Sequence, residues 1–88
     1  MELNNKKILV VGLARTGVAV ARFLAEQGAQ VTVTDMKDDA ELAPWMAKLE
    51  DLSINYQLGQ HDKHTFLMAD MIVVSPGVPM DIKPLQLA

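Results

Sequence analysis

The segment Gly12-Leu13-Ala14-Arg15-Thr16-Gly17 carries the strongest chemical signal in the chain. It follows a short apolar run, Ile8 to Val11, and opens a stretch with helical periodicity, Thr16 to Gln27. A strand that passes through a glycine turn into a helix aims free backbone N–H groups and the positive end of the helix dipole at one spot. Such a spot suits a phosphate. Gly12 permits the sharp turn, and Gly17 lets the helix lie close to the sheet. Ala14 stands where the dinucleotide fingerprint has its middle glycine. Its methyl group argues against a strict NAD site without blocking a phosphate. Thr16 can cap the helix and offer a hydroxyl, and Arg15 can add positive charge. Without a ligand, the same residues read as a plain strand-to-helix turn.

Two further signals come from distant parts of the chain. Asp35 closes the next apolar run. Its ionised carboxylate only accepts hydrogen bonds, so it can take them from ribose hydroxyls or from a base N–H. It reads equally well as a turn or capping aspartate before Lys37-Asp38-Asp39. Lys37 can contact a nucleotide or stay solvated. Ser75-Pro76-Gly77 ends a buried-looking run, Met71 to Val74, and can present backbone N–H groups and a hydroxyl. His61, Asp62 and His64 do not read as a metal site, because no cysteine, third ligand or long helix sets their spacing. No Ser/His/Asp arrangement or pair of catalytic carboxylates stands out. Asp38, Asp39 and Glu41 read as a solvated turn, and the methionines and Trp45 as packing.

These signals meet only if the elements between them fold in a particular way. Lys7 to Val11 is apolar and predicts a central strand. Thr16 to Gln27 predicts a helix with Gly17, Val20, Ala21 and Leu24 facing inward, Phe23 beside them, Arg22 and Glu26 pointing away, and Gly28 as the stop. Gln30 to Thr34 predicts a second strand. Leu42, Trp45, Met46 and Leu49 share a helical face, and Pro44 places the start of that helix near Ala43. Ile54, Tyr56 and Leu58 alternate with polar residues, as in an edge strand. Asp62 to Met68 reads as a short helix or turn, and Met71 to Val74 as a fourth strand, buried like the first.

Strands alternating with helices build an α/β fold, a Rossmann-like doubly wound parallel sheet, here with strand order 3-2-1-4. That order reverses between the first and fourth strands, and ligands in such sheets bind beyond the carboxyl ends of the strands at the reversal. The glycine turn, Asp35 and Ser75-Pro76-Gly77 then converge on one crevice, and the chain is expected to bind a nucleotide.

Composition narrows the class. The chain has 88 residues, half of them apolar, with a net charge of −3 and no cysteine. That is one domain with a small core and without the basic footprint of a nucleic-acid binder. No apolar run reaches the length of a membrane span, and the run after Lys6-Lys7 is too short for a signal peptide. A cytoplasmic protein is expected, with no membrane partner. The ending Pro84-Leu-Gln-Leu-Ala88 reads as an unfinished helix, so a longer parent protein is expected.

Lys7-Ile-Leu-Val-Val-Gly-Leu-Ala-Arg-Thr-Gly17, Val33-Thr-Asp35 and Ala69-Asp-Met-Ile-Val-Val-Ser-Pro-Gly-Val78 together resemble the N-terminal domain of the Mur ligases, and within that family the branch that adds D-glutamate. The resemblance spans nearly the whole chain. It implies that residues 1–88 form a UDP-binding domain for UDP-N-acetylmuramoyl-L-alanine, with a central ATP-binding domain and a C-terminal domain absent from this chain. In such ligases ATP, with Mg2+, activates the substrate carboxylate as an acyl phosphate, and the D-glutamate amine attacks it to form an amide in peptidoglycan synthesis. By position, Arg15, Thr16 and Gly17 would face the diphosphate, in a turn built on Gly12 and Ala14. Asp35, Met36 and Lys37 would face the uracil, and Ser75, Pro76 and Gly77 would line the same pocket. Met36 has no hydroxyl, so a base contact there would come from backbone. No G-x-x-G-K-[ST] loop occurs, so no cofactor is expected in this domain and no ligation by it alone. The resemblance also places a fifth strand after Ala88. The fourth strand is then expected to end as an open edge through which the chain self-associates. On the residues alone, an NAD-binding domain of a dehydrogenase, a nucleotide-sensing regulatory domain and a doubly wound interaction module remain open.

Overall fold

The computed structural model describes residues 3–60 and 62–74. Its elements are β1 (Lys7–Val11), α1 (Arg15–Glu26), β2 (Gln30–Asp35), α2 (Asp39–Ala47), β3 (Asn55–Leu58), α3 (Lys63–Met68) and β4 (Met71–Val74). The four strands pair in parallel in the order β3-β2-β1-β4, as the pattern predicts.

The alternation of β1 divides the core. Ile8 and Val10 join Val31, Val33, Leu24 and Leu42 in the larger cluster, on one face of the sheet. Leu9 and Val11 meet Phe66 of α3 in a smaller cluster on the other. β1 is therefore buried on both faces. β4 is only half-buried along its length, contrary to the expectation that it would match β1. It pairs with β1 on one flank and is the last strand of the sheet among the described residues, so its apolar side chains have cover on fewer sides.

The helices depart from the expected layout in four places. α1 begins at Arg15, with Ala14 in the cap position and no side-chain cap. Thr16 thus lies inside the first turn and does not cap. Phe23 is 58% exposed, not packed beside the core. Arg22, expected to point away, reaches across to the end of α2. Its guanidinium donates to both carboxylate oxygens of Asp51, at 3.1 and 2.8 Å, and to the Lys48 carbonyl at 2.5 Å.

α2 begins a turn earlier than Pro44 suggests. Asp38 caps it by accepting from the Glu41 N–H at 2.9 Å, and Asp39 and Glu41 complement the dipole in the first turn. Pro44 therefore lies inside the helix and forfeits one backbone bond. The stop of α1 matches expectation. Gly28, at φ +88, closes it with bonds from the Gly28 N–H to the Ala25 carbonyl and from the Ala29 N–H to the Leu24 carbonyl.

The Arg22 hydrogen bonds hold the Asp51 carboxyl below the usual aspartate range. A depressed value means that folding favours the ionised form. This contribution is full at neutral pH and is lost as pH falls through and below the ordinary aspartate value. Asp51→Asn is expected to unfold at a lower temperature than the unaltered chain at neutral pH, and the gap should shrink as pH falls below the ordinary aspartate value. Thermal unfolding followed from neutral pH into acid checks this; a gap that does not shrink as pH falls means that the charge of Asp51 is not what matters.

Asp70 sets the register of the last strand pair. Its carboxylate accepts from the Lys7 N–H at 2.8 Å, and its own N–H donates to the Lys7 carbonyl at 2.7 Å. Val74 then lies beside Val11, so the ends of β4 and β1 coincide.

Candidate nucleotide-binding site

The carboxyl ends of β1, β2 and β4 lie side by side, with Val11 paired to Thr34 on one flank and to Val74 on the other. The glycine turn leaves β1 at this edge. Gly12 has φ +99 and is buried, a backbone state that L side chains rarely adopt. Its N–H donates to the Thr34 carbonyl at 2.8 Å. The Leu13 N–H donates to Asp35 Oδ2 at 2.8 Å, and the Leu13 side chain is buried beneath the turn.

Ala14 follows in extended conformation, and the first backbone bond of the helix runs from the Val18 N–H to the Ala14 carbonyl. The N–H groups of Arg15, Thr16 and Gly17 thus precede the helical ladder and have no side-chain cap. They are the donors a phosphate would meet. Ala14, Arg15 and Thr16 are exposed, while Gly17 is buried. Arg15 also lines a cleft of about 390 Å³ between α1 and α2, with Val18, Ala19, Trp45 and Lys48.

Asp35 ends β2 and is half-buried. Besides Leu13 it accepts from the Lys37 N–H, at Oδ1 and 2.9 Å. Met36 is 60% exposed and Lys37 is exposed. Sequence reasoning missed Gly59 in this region. Its N–H donates to the carbonyls of both Asp35 and Lys37, each at 2.9 Å, tying the turn after β3 to the turn after β2. The only signal was a glycine directly after a short strand. The Thr34 hydroxyl adds a bond to the Gln60 carbonyl at 3.3 Å.

The structure thus brings Gly12, Ala14, Arg15, Thr16 and Gly17 together with Asp35, Met36 and Lys37. Ser75, Pro76 and Gly77 lie outside the described residues, as does His61. Among the described residues, no group of three or more His, Asp or Glu side chains could hold a metal ion. None of the described helices is long and apolar enough to cross a membrane. A second cleft, about 330 Å³, lies between α3 and the sheet and is lined largely by neutral side chains such as Gln30, Thr32, Asn55 and Gln57.

The family model of the Mur ligase MurD-like N-terminal domain matches residues 6–88. The chain belongs to this family. The UDP-N-acetylmuramoylalanine–D-glutamate ligase of Geotalea uraniireducens is 77% identical over all 88 residues, which span 19% of that protein. The ligase of the same name from Bdellovibrio bacteriovorus is 49% identical over 82 residues, 93% of this chain and 18% of that protein. The chain thus spans about a fifth of the length of the curated relatives it matches. Among solved structures, the precorrin-2 dehydrogenase SirC superposes with a TM-score of 0.66 at 23% identity, covering 89% of this chain and 38% of its own. At that identity the likeness is one of fold alone. This MurD-like domain therefore shares its Rossmann-like frame with a dehydrogenase, while its sequence matches relatives named as D-glutamate ligases.

Proposed function

We propose that this chain is the UDP-binding domain of an ATP-dependent, cytoplasmic ligase that joins D-glutamate to UDP-N-acetylmuramoyl-L-alanine in peptidoglycan synthesis. The amides of Arg15, Thr16 and Gly17 hold the diphosphate, in the turn made by Gly12 and Ala14. Asp35, Met36 and Lys37 receive the uracil, and Ser75, Pro76 and Gly77 complete the pocket. The bond from the Leu13 N–H to Asp35 supports this reading most. At 2.8 Å it joins the two segments that would take the two ends of one UDP. The identity to D-glutamate ligases along the whole chain supports the choice of ligand.

Titration with UDP and with NADH, followed by amide NMR shifts, tests the reading. UDP is expected to move Thr16, Asp35 and Gly77. NADH moving them alone would assign a dehydrogenase site, and silence from both would remove the nucleotide.

ATP and Mg2+ belong to other domains of the ligase. This sequence contains no Gly-Lys-Ser or Gly-Lys-Thr loop to grip a triphosphate, so no chemical step is assigned to it. The chain by itself is expected to form no amide bond from ATP, D-glutamate and the UDP substrate; detectable product would refute that. Among the described residues β4 ends the sheet, and a free strand edge invites pairing with another chain. Concentrated samples are expected to self-associate through it, and a strictly monomeric species in sedimentation would count against this.

A further inference from the structure

We infer that Asp35 is a positioning residue for the diphosphate, acting through the backbone of the glycine turn, beyond any contact it makes with the base or ribose. The inference rests on the nucleotide reading above and says how one of its residues works.

The amides of the turn fall into two sets. Those of Gly12 and Leu13 are taken by two consecutive residues of β2, the Thr34 carbonyl at 2.8 Å and the Asp35 carboxylate at 2.8 Å. Those of Arg15, Thr16 and Gly17 precede the helical ladder and point outward from it. Asp35 therefore marks the boundary between amides that hold the fold and amides that face an anion. Remove the carboxylate, and the Leu13 N–H loses its acceptor. The turn can then swing, and the donors beyond it lose their common aim.

The second carboxylate oxygen works the other way. Oδ1 accepts from the Lys37 N–H at 2.9 Å, and the Asp35 and Lys37 carbonyls share the Gly59 N–H. One aspartate thus links the turns after β1, β2 and β3. Hydrogen bonds to a charged acceptor are about twice as strong as neutral ones, so this link is stiff. A carboxylate has about four lone-pair sites. Two are used within the chain, and the rest stay open to a ribose hydroxyl or a base N–H. The two roles are compatible, and a probe without a base separates them.

The test uses inorganic pyrophosphate and UDP, titrated into the unaltered chain, Asp35→Ala and Asp35→Asn, with the Arg15, Thr16 and Gly17 amides as reporters. Asp35→Ala is expected to weaken pyrophosphate binding roughly tenfold, with faster hydrogen exchange at Leu13 and unchanged protection at Val10 and Val33. Asp35→Asn keeps one acceptor oxygen and is expected to fall between. It also carries the test if the alanine variant does not fold. Unchanged pyrophosphate affinity in the variants, with UDP binding weakened, would overturn the inference and leave a direct base contact. An unaltered chain that binds neither probe would overturn the nucleotide reading and the inference together.

Discussion

Gly12→Val is expected to abolish measurable UDP binding and to cost about 1–3 kcal/mol of stability. Gly12 sits at φ +99, where a β-branched side chain meets its own backbone, and its position is buried. The strain can be relieved only by rotating the peptide. That rotation breaks the bond from the Gly12 N–H to the Thr34 carbonyl and shifts Leu13 away from Asp35. Both bonds that seat the turn on β2 are then lost, and the amides of Arg15, Thr16 and Gly17 lose their shared direction. Gly12→Ala should show the same effect more weakly. Urea unfolding and UDP titration on the same sample check the two parts. A valine variant that binds UDP as tightly as the unaltered chain would remove the turn from the site.

Phe66→Ala is expected to destabilise the chain by about 3–5 kcal/mol. Phe66 is the buried residue of α3 and is 2% exposed, over Leu9 and Val11. It anchors a short helix whose next residues, Leu67 and Met68, are about half exposed. Truncation leaves a cavity against β1 and releases the cover of that sheet face. Small domains hold only about 5–15 kcal/mol in total, so this loss removes a substantial share of the stability. Phe66→Leu keeps most of the apolar volume and should lose much less. The midpoint of urea unfolding measures both. A loss under about 1 kcal/mol for alanine would mean that α3 is not held by this contact. Apparent nucleotide affinity should fall only as far as the folded fraction does.

The pattern of the chain predicts most of this architecture and less of its detail. The four positions Leu42, Trp45, Met46 and Leu49 do pack into the core, although Leu49 lies past the end of α2, and the start of that helix is set by the cap at Asp38 and not by Pro44. An internal proline is tolerated when a good cap and a buried face outweigh one missing bond. Phe23 and β4 fail for a different reason. Their apolar character is plain in the sequence, but burial depends on what lies above them, and that is not a local property. Asp35 stands out in the sequence as a candidate, while its acceptor role toward Leu13 is not foreseen there, and Gly59 is missed altogether.

Periodicity, turn residues and the order of apolar runs by themselves determined the alternating strands and helices, the parallel sheet and its strand order. These follow from short-range rules, since a strand or helix shows its repeat within a few neighbouring residues. Only the tertiary structure decided which groups the turn amides take. The bond from Leu13 to Asp35 spans 22 positions, and its existence depends on how β1 and β2 align in the folded sheet. Sequence spacing has no access to that alignment, because it arises from packing both strands against the same core.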